Sequence, residues 1–121
     1  MRIRCIKPEF WDSESMGRVS REARLLFIGT WSLADDSGRL RASSRFLASR
    51  LFPFDDDALK KIPAWIAELK AEGCIRLYES SDDHYMDIPK WLSHQKIDHP
   101  SASKLPPFAS GSEVLASPRE P

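Results

Sequence analysis

The chain has 121 residues, a length that fits one hydrophobic core with a tail and leaves no room for a second catalytic domain. Its eighteen basic and eighteen acidic residues balance, so global charge neither recruits nor excludes a polyanion, and no apolar run approaches the roughly 20 residues that span a bilayer. Cys5 and Cys74 stand far apart with no CxxC spacing, which argues against a disulfide framework or a cysteine zinc site and points to a soluble, reduced, cytoplasmic protein.

The opening MRIRCIKPEFW is charged and has no apolar run of signal-peptide length. The first strong element is SREARLLFIGTWSLADDSG, a helix with Ser20 as its N-cap, Glu22 at the positive end of its dipole and Gly38 beyond its end. Leu25, Leu26, Phe27, Ile28, Trp31 and Leu33 cover nearly its whole circumference, so it is either central in the fold or covered by another protomer. GRLR reads as a short strand. SSRFLASRLFP reads as a compact helix capped by Ser43 and stopped by Pro53, with Phe46, Leu47 and Leu51 inward and Arg45 and Arg50 outward.

Residues 57–72 form the next helix, with Leu59, Ile62, Ile66 and Leu69 at three- and four-residue spacing, aspartates at the start and Gly73 at the end. Pro63 either kinks this helix or marks its true first turn. CIRLYES and HYMDIPKW alternate on either side of the polar SDD, the pattern of a hairpin in which Ile75 and Leu77 face Met86 and Ile88. Trp31 and Trp65 fall in apolar helical phase, and Trp11 and Trp91 are placed to anchor the two ends of the domain. The order helix, strand, helix, helix, strand, strand predicts an α+β winged helix-turn-helix: three helices and a small antiparallel sheet whose β-hairpin is the wing. Residues 1–90 make that domain, 91–107 an extended polar and basic arm partly packed on it, and 108–121 a disordered tail.

The segments IKPEFW, SREARLLFIGTWSLADDSGRLR, LFPFDDD, AWIAELKAEGCI and IPKWLSHQKIDHPSASKLPP resemble the N-terminal region of phage and prophage replication-initiation proteins. The likeness covers about residues 3–107, and its most specific run begins at His94. It implies a winged-helix domain of the replisome-organiser kind, with origin DNA and the host helicase machinery as partners. Relatives in that group continue further, so the chain reads as a shortened or stand-alone version.

Within this fold the 57–72 helix takes the recognition position. Its outward face is Lys60, Lys61, Ala64, Ala67, Glu68 and Ala71; the lysines suit phosphates, no Arg, Asn or Gln is present for bidentate base readout, and Glu68 and Glu72 oppose a polyanion. Residues 1–50 carry ten Lys or Arg against six acids, whereas 51–90 carry five against nine. Arg39, Arg41, Arg45 and Arg50, with no acid between them, form the better phosphate-binding cluster, extended by Arg76 on the wing and Lys96 and Lys104 in the arm.

His84, His94 and His99 lack metal-ligand spacing, and there is no nucleophile elbow or phosphate-binding glycine loop; the runs at 55–57 and 82–83 are explained by capping and turn formation. The expectation is therefore a non-enzymatic module without a cofactor, binding duplex DNA. A protein-interaction or homo-oligomerisation unit and a phage transcriptional regulator are the alternatives.

Overall fold

The computed structural model of the chain describes residues 1–108 and 112–113. It is an α+β fold. A 3-10 turn at Pro8–Asp12 leads into α1 (Glu14–Gly17), then α2 (Arg21–Leu33), β1 (Arg39–Arg41), α3 (Ser44–Leu51), α4 (Ala58–Ala71), β2 (Arg76–Ser80), β3 (Asp83–Asp87), α5 (Trp91–His94) and β4 (Ser112–Glu113). Apart from Phe108 and the two residues of β4, the expected disordered tail lies outside the described residues.

Local chemistry starts the helices. Ser20 Oγ accepts the Ala23 N–H at 3.1 Å and Ser43 Oγ accepts the Phe46 N–H at 3.1 Å, each satisfying one donor that the first helical turn leaves open. The α2 helix is central: Ala23, Leu26, Phe27, Thr30 and Trp31 are buried, and Leu25 alone of its large apolar residues is exposed. Gly29 permits close packing with α3, since a Cβ there would lie 2.7 Å from Leu51 Cδ1. Phe10, from the N-terminal turn, meets Trp31 edge-on at 5.4 Å, and Phe27 meets the same ring at 5.3 Å.

The α4 helix runs unbroken through Pro63, which therefore does not mark its first turn. A proline costs one ladder bond, and Ala58, Ile62, Trp65, Ile66 and Leu69 bury enough apolar surface on the inner face to hold both sides in register. Asp57 flanks this helix without a side-chain capping bond. Its carboxylate instead pairs with Lys61 one turn on, at 2.8 Å, so the capping role read for this aspartate gives way to an i, i+4 ion pair.

The sheet order is β1-β3-β2-β4, antiparallel throughout, so β4 adds a two-residue edge to a three-stranded sheet. Ser81 and Asp82, with φ of 52° and 65°, form the two-residue turn whose twist suits the β2–β3 hairpin. Leu40, Met86 and Leu77 pair side by side and face the core. The opposite face carries the row Arg39, Asp87, Arg76 and the row Arg41, Tyr85, Tyr78.

Of the two expected end anchors, Trp91 packs on the domain and Trp11 does not. Trp11 is 65% exposed, and its neighbour Phe10 makes the core contact instead. Trp91 is buried and donates its indole N–H to Asp36 O at 3.1 Å, beneath the Arg4 guanidinium at 5.0 Å. Among the described residues no helix is long and apolar enough to cross a membrane.

Candidate nucleic-acid interface

Eight of the nine cations singled out in the sequence fall into two groups, and Lys61 stands apart, ion-paired with Asp57. Arg39 and Arg41 on β1 and Arg76 on β2 share the outer sheet face, and each has a partner there. Asp87 accepts from Arg76 Nε at 2.8 Å and Nη2 at 2.6 Å, a two-point pair on a buried carboxylate. Asp83 lies 3.5 Å from Arg41, whose guanidinium also covers the Tyr85 ring at 5.7 Å. Arg39 donates to Leu105 O at 3.4 Å. The chain has no acid between Arg39 and Arg50, but cross-strand pairing brings Asp83 and Asp87 into the cluster from β3.

The second group is open. Arg45 and Arg50 project from α3, Lys60 from the first turn of α4, and Lys96 and Lys104 from the C-terminal segment; all are exposed, and none has an acidic partner among the described residues. Arg50 lies over the Phe46 ring at 5.6 Å, a contact that leaves the guanidinium edge available. Lys61 is held in its charged form by Asp57, which raises its pKa.

Glu68 and Glu72 both have partners within the fold. Glu68 accepts the Ser20 N–H at 2.7 Å and the Ser20 hydroxyl at 2.9 Å, closing the start of α2. Glu72 accepts Arg18 Nε at 2.7 Å. The exposed acids near α4 are instead Asp55, Asp56 and Asp57, ahead of its first turn.

The polar arm is also placed differently. Gln95 is buried and makes a double bond pair with the Cys5 backbone, accepting its N–H at 3.0 Å and donating to its carbonyl at 2.5 Å. Ser101 N–H donates to Asp36 Oδ2 at 2.9 Å and Ser103 Oγ to Asp35 Oδ2 at 2.5 Å. Tyr78 donates to Pro106 O at 2.7 Å, and Phe108 packs edge-on against Tyr78 at 5.7 Å and under Arg76 at 4.1 Å. Residues 103–108 therefore strap the outer sheet face. Burial beneath them pushes the Tyr78 phenol up to about 12.

Sequence reasoning missed the N-terminal clamp. Arg4 donates to the carbonyls of Trp31 at 3.0 Å and Ala34 at 2.9 Å, placing positive charge at the negative end of the α2 dipole. Asp36 is ion-paired with Arg2 at 2.9 Å. A basic residue 27 and 30 positions from the carbonyls it binds carries no local signal of this role.

Beside the clamp, a cleft of about 470 Å³ opens between the N-terminal turn, α2 and α5. Cys74 lines it, and burial pushes its thiol up to about 11, so it is held protonated and poorly nucleophilic. Among the described residues no three His, Cys, Asp or Glu side chains gather as a metal site. Comparison with protein-family models, curated proteins and solved structures gives no match to this chain.

Proposed function

We propose that this chain is a winged-helix DNA-binding module of the replication-initiation kind, attaching to duplex DNA through phosphate contacts. The observation that carries the reading is the open set of cations, Arg45 and Arg50 on α3 and Lys60 at the start of α4, exposed on consecutive helices without acidic partners among the described residues. The element order α2, β1, α3, α4, β2, β3 supports it, because the hairpin follows the second of two packed helices as a wing follows a recognition helix. Phosphate attachment is favoured over base readout: the exposed face of α4 is Lys60, Lys61, Ala64, Ala67 and Ala71, with no Arg, Asn or Gln to read a base edge, and Asp57 already holds Lys61. That composition speaks against a sequence-reading repressor.

Fluorescence-anisotropy titration with labelled duplex, repeated across salt concentrations, tests the reading. Binding weakens steeply with salt, and Arg45→Ala and Arg50→Ala each lower the slope of log K against log salt by about 1. Absence of binding at low salt, or affinity indifferent to salt, overturns it. Arg76→Ala is a poor probe of DNA contact, because it strips a buried carboxylate of its partner and destabilises the fold itself.

A further inference from the structure

The cleft beside the N-terminal clamp has two chemically distinct parts. Its inner wall is aromatic: Phe10, Phe27, Trp31 and His94 all line it, with His94 tilted over Trp31 at 5.8 Å and edge-on to Phe27 at 6.1 Å. Its mouth is cationic. Lys7 and Lys90 line it there, Lys7 donating to Ser93 O at 2.7 Å and Lys90 exposed. Of the two lining glutamates, Glu72 is already paired with Arg18 at 2.7 Å and Glu9 is exposed, which leaves two lysines against one open carboxylate.

We propose that this cleft binds a nucleotide unit, its planar base against the His94 ring and its phosphate at the rim that Lys7 and Lys90 line. A volume of about 470 Å³ falls within the range of small-molecule sites, which are mostly apolar with a few placed polar groups. The Phe27 and Trp31 rings are each 2% exposed and form the floor, so the half-buried His94 is the ring open to stacking by a base, and ammonium groups at the rim suit a phosphate. The field of the lysines reaches the wall: burial first, then Lys7 and Lys90, lower the His94 pKa. A neutral imidazole is thereby kept as a stacking surface. Lys90 holds a left-handed backbone conformation at φ 57°, a costly geometry for a side chain of this size and one that accumulates at ligand sites. This goes beyond the proposed duplex contact, involves none of the α3 arginines, and stands or falls without it.

The test is NMR titration of the full, isotope-labelled chain, following the Trp31 indole N–H and the Gly73 and Cys74 amides. The titrants are deoxynucleoside 5′-monophosphates, the matching nucleosides, inorganic phosphate and a four-nucleotide single strand. The monophosphates shift these signals saturably, with Kd between about 10 µM and 1 mM, roughly tenfold tighter than nucleoside or phosphate alone. Lys90→Asn removes the charge while keeping a residue tolerant of the left-handed backbone, and it reduces the monophosphate to nucleoside affinity. The source is told by the strand: tighter binding with the same shifts assigns the site to single-stranded nucleic acid, and shifts with mononucleotide alone assign it to a free nucleotide. No saturable shift, equal affinity for phosphate alone, or unchanged affinity in a folded Lys90→Asn chain overturns the proposal. An Arg45→Ala, Arg50→Ala chain that has lost duplex binding still takes the monophosphate, which separates the two readings.

Discussion

At the scale of single residues, the turn between α2 and β1 joins the N-terminal clamp to the C-terminal segment. Gly38 has φ of 80°, and its carbonyl accepts the Ile88 N–H at 3.0 Å while the Trp91 ring closes over its α-carbon. A Cβ there would lie 2.7 Å from Trp91 Cγ, so Gly38→Ala combines a left-handed penalty with a steric clash. It is expected to destabilise by about 2 kcal/mol or more in a chemical denaturation series. Next to it, the Ser101 N–H, with Arg2 and Arg4 after it, holds the Asp36 carboxyl below its ordinary value of 3.8. A carboxyl depressed by folding favours the native state above its unfolded pKa and loses that contribution as pH falls through the folded one. Acid below about pH 4 should therefore release the Ser101 contact first, seen as loss of hydrogen-exchange protection at that amide. In Asp36→Asn the protection should no longer depend on acid in that window.

At the scale of elements, the strap over the sheet decides what the outer face can do. Tyr78 and Tyr85 are stacked at 5.7 Å and buried, although strand alternation turns them away from the core. Residues 103–108 keep water from them. A chain ending at residue 97 retains Trp91 and Gln95 but loses this cover; the Tyr78 phenol should then titrate near its ordinary value of 10 instead of about 12. Its melting temperature should fall by about 4–8 °C for each kcal/mol of lost packing, and an unchanged phenol titration would show that the strap does not bury it. Helices α2, α3 and α4 and the hairpin, unlike the four-residue α1 and α5, were legible because their signals are local: Ser20 and Ser43 cap within three residues, and Leu77 and Met86 alternate in step with their strands. The strap and clamp were not. Tyr78 to Pro106, Gln95 to Cys5 and Arg4 to Trp31 join a side chain to a backbone group far away in sequence, and any polar residue near that carbonyl would read alike in one dimension. The arginine cluster was half legible for the same reason, its α3 members open and its strand members paired with acids that only sheet register brings near.

At the scale of the whole molecule, a formal charge of zero conceals opposed patches. Arg45 and Arg50 project from α3, whereas Asp55, Asp56 and Asp57 stand exposed in the loop that joins it to α4. In the proposed binding mode α4 is the recognition helix, which normally leads into the groove with its N-terminal end, and that end is preceded by three carboxylates, of which Asp57 alone is paired with a lysine among the described residues. Placing those acids near phosphates opposes the attraction of the α3 arginines, so the duplex should bind with α3 and Lys60 nearest the backbone and the loop held back. Replacing the two unpaired acids, Asp55→Asn with Asp56→Asn, leaves the Asp57–Lys61 pair and both helix caps untouched, and fold stability should stay within about 0.5 kcal/mol. Duplex affinity should rise several-fold at low salt, with the gain shrinking as salt screens the loop over a Debye length of about 10 Å at 0.1 M. An affinity unmoved at low salt would place the loop well beyond that distance and confine the contact to α3. A gain that persists at high salt would mean that the acids had excluded the duplex by direct contact instead of through their field.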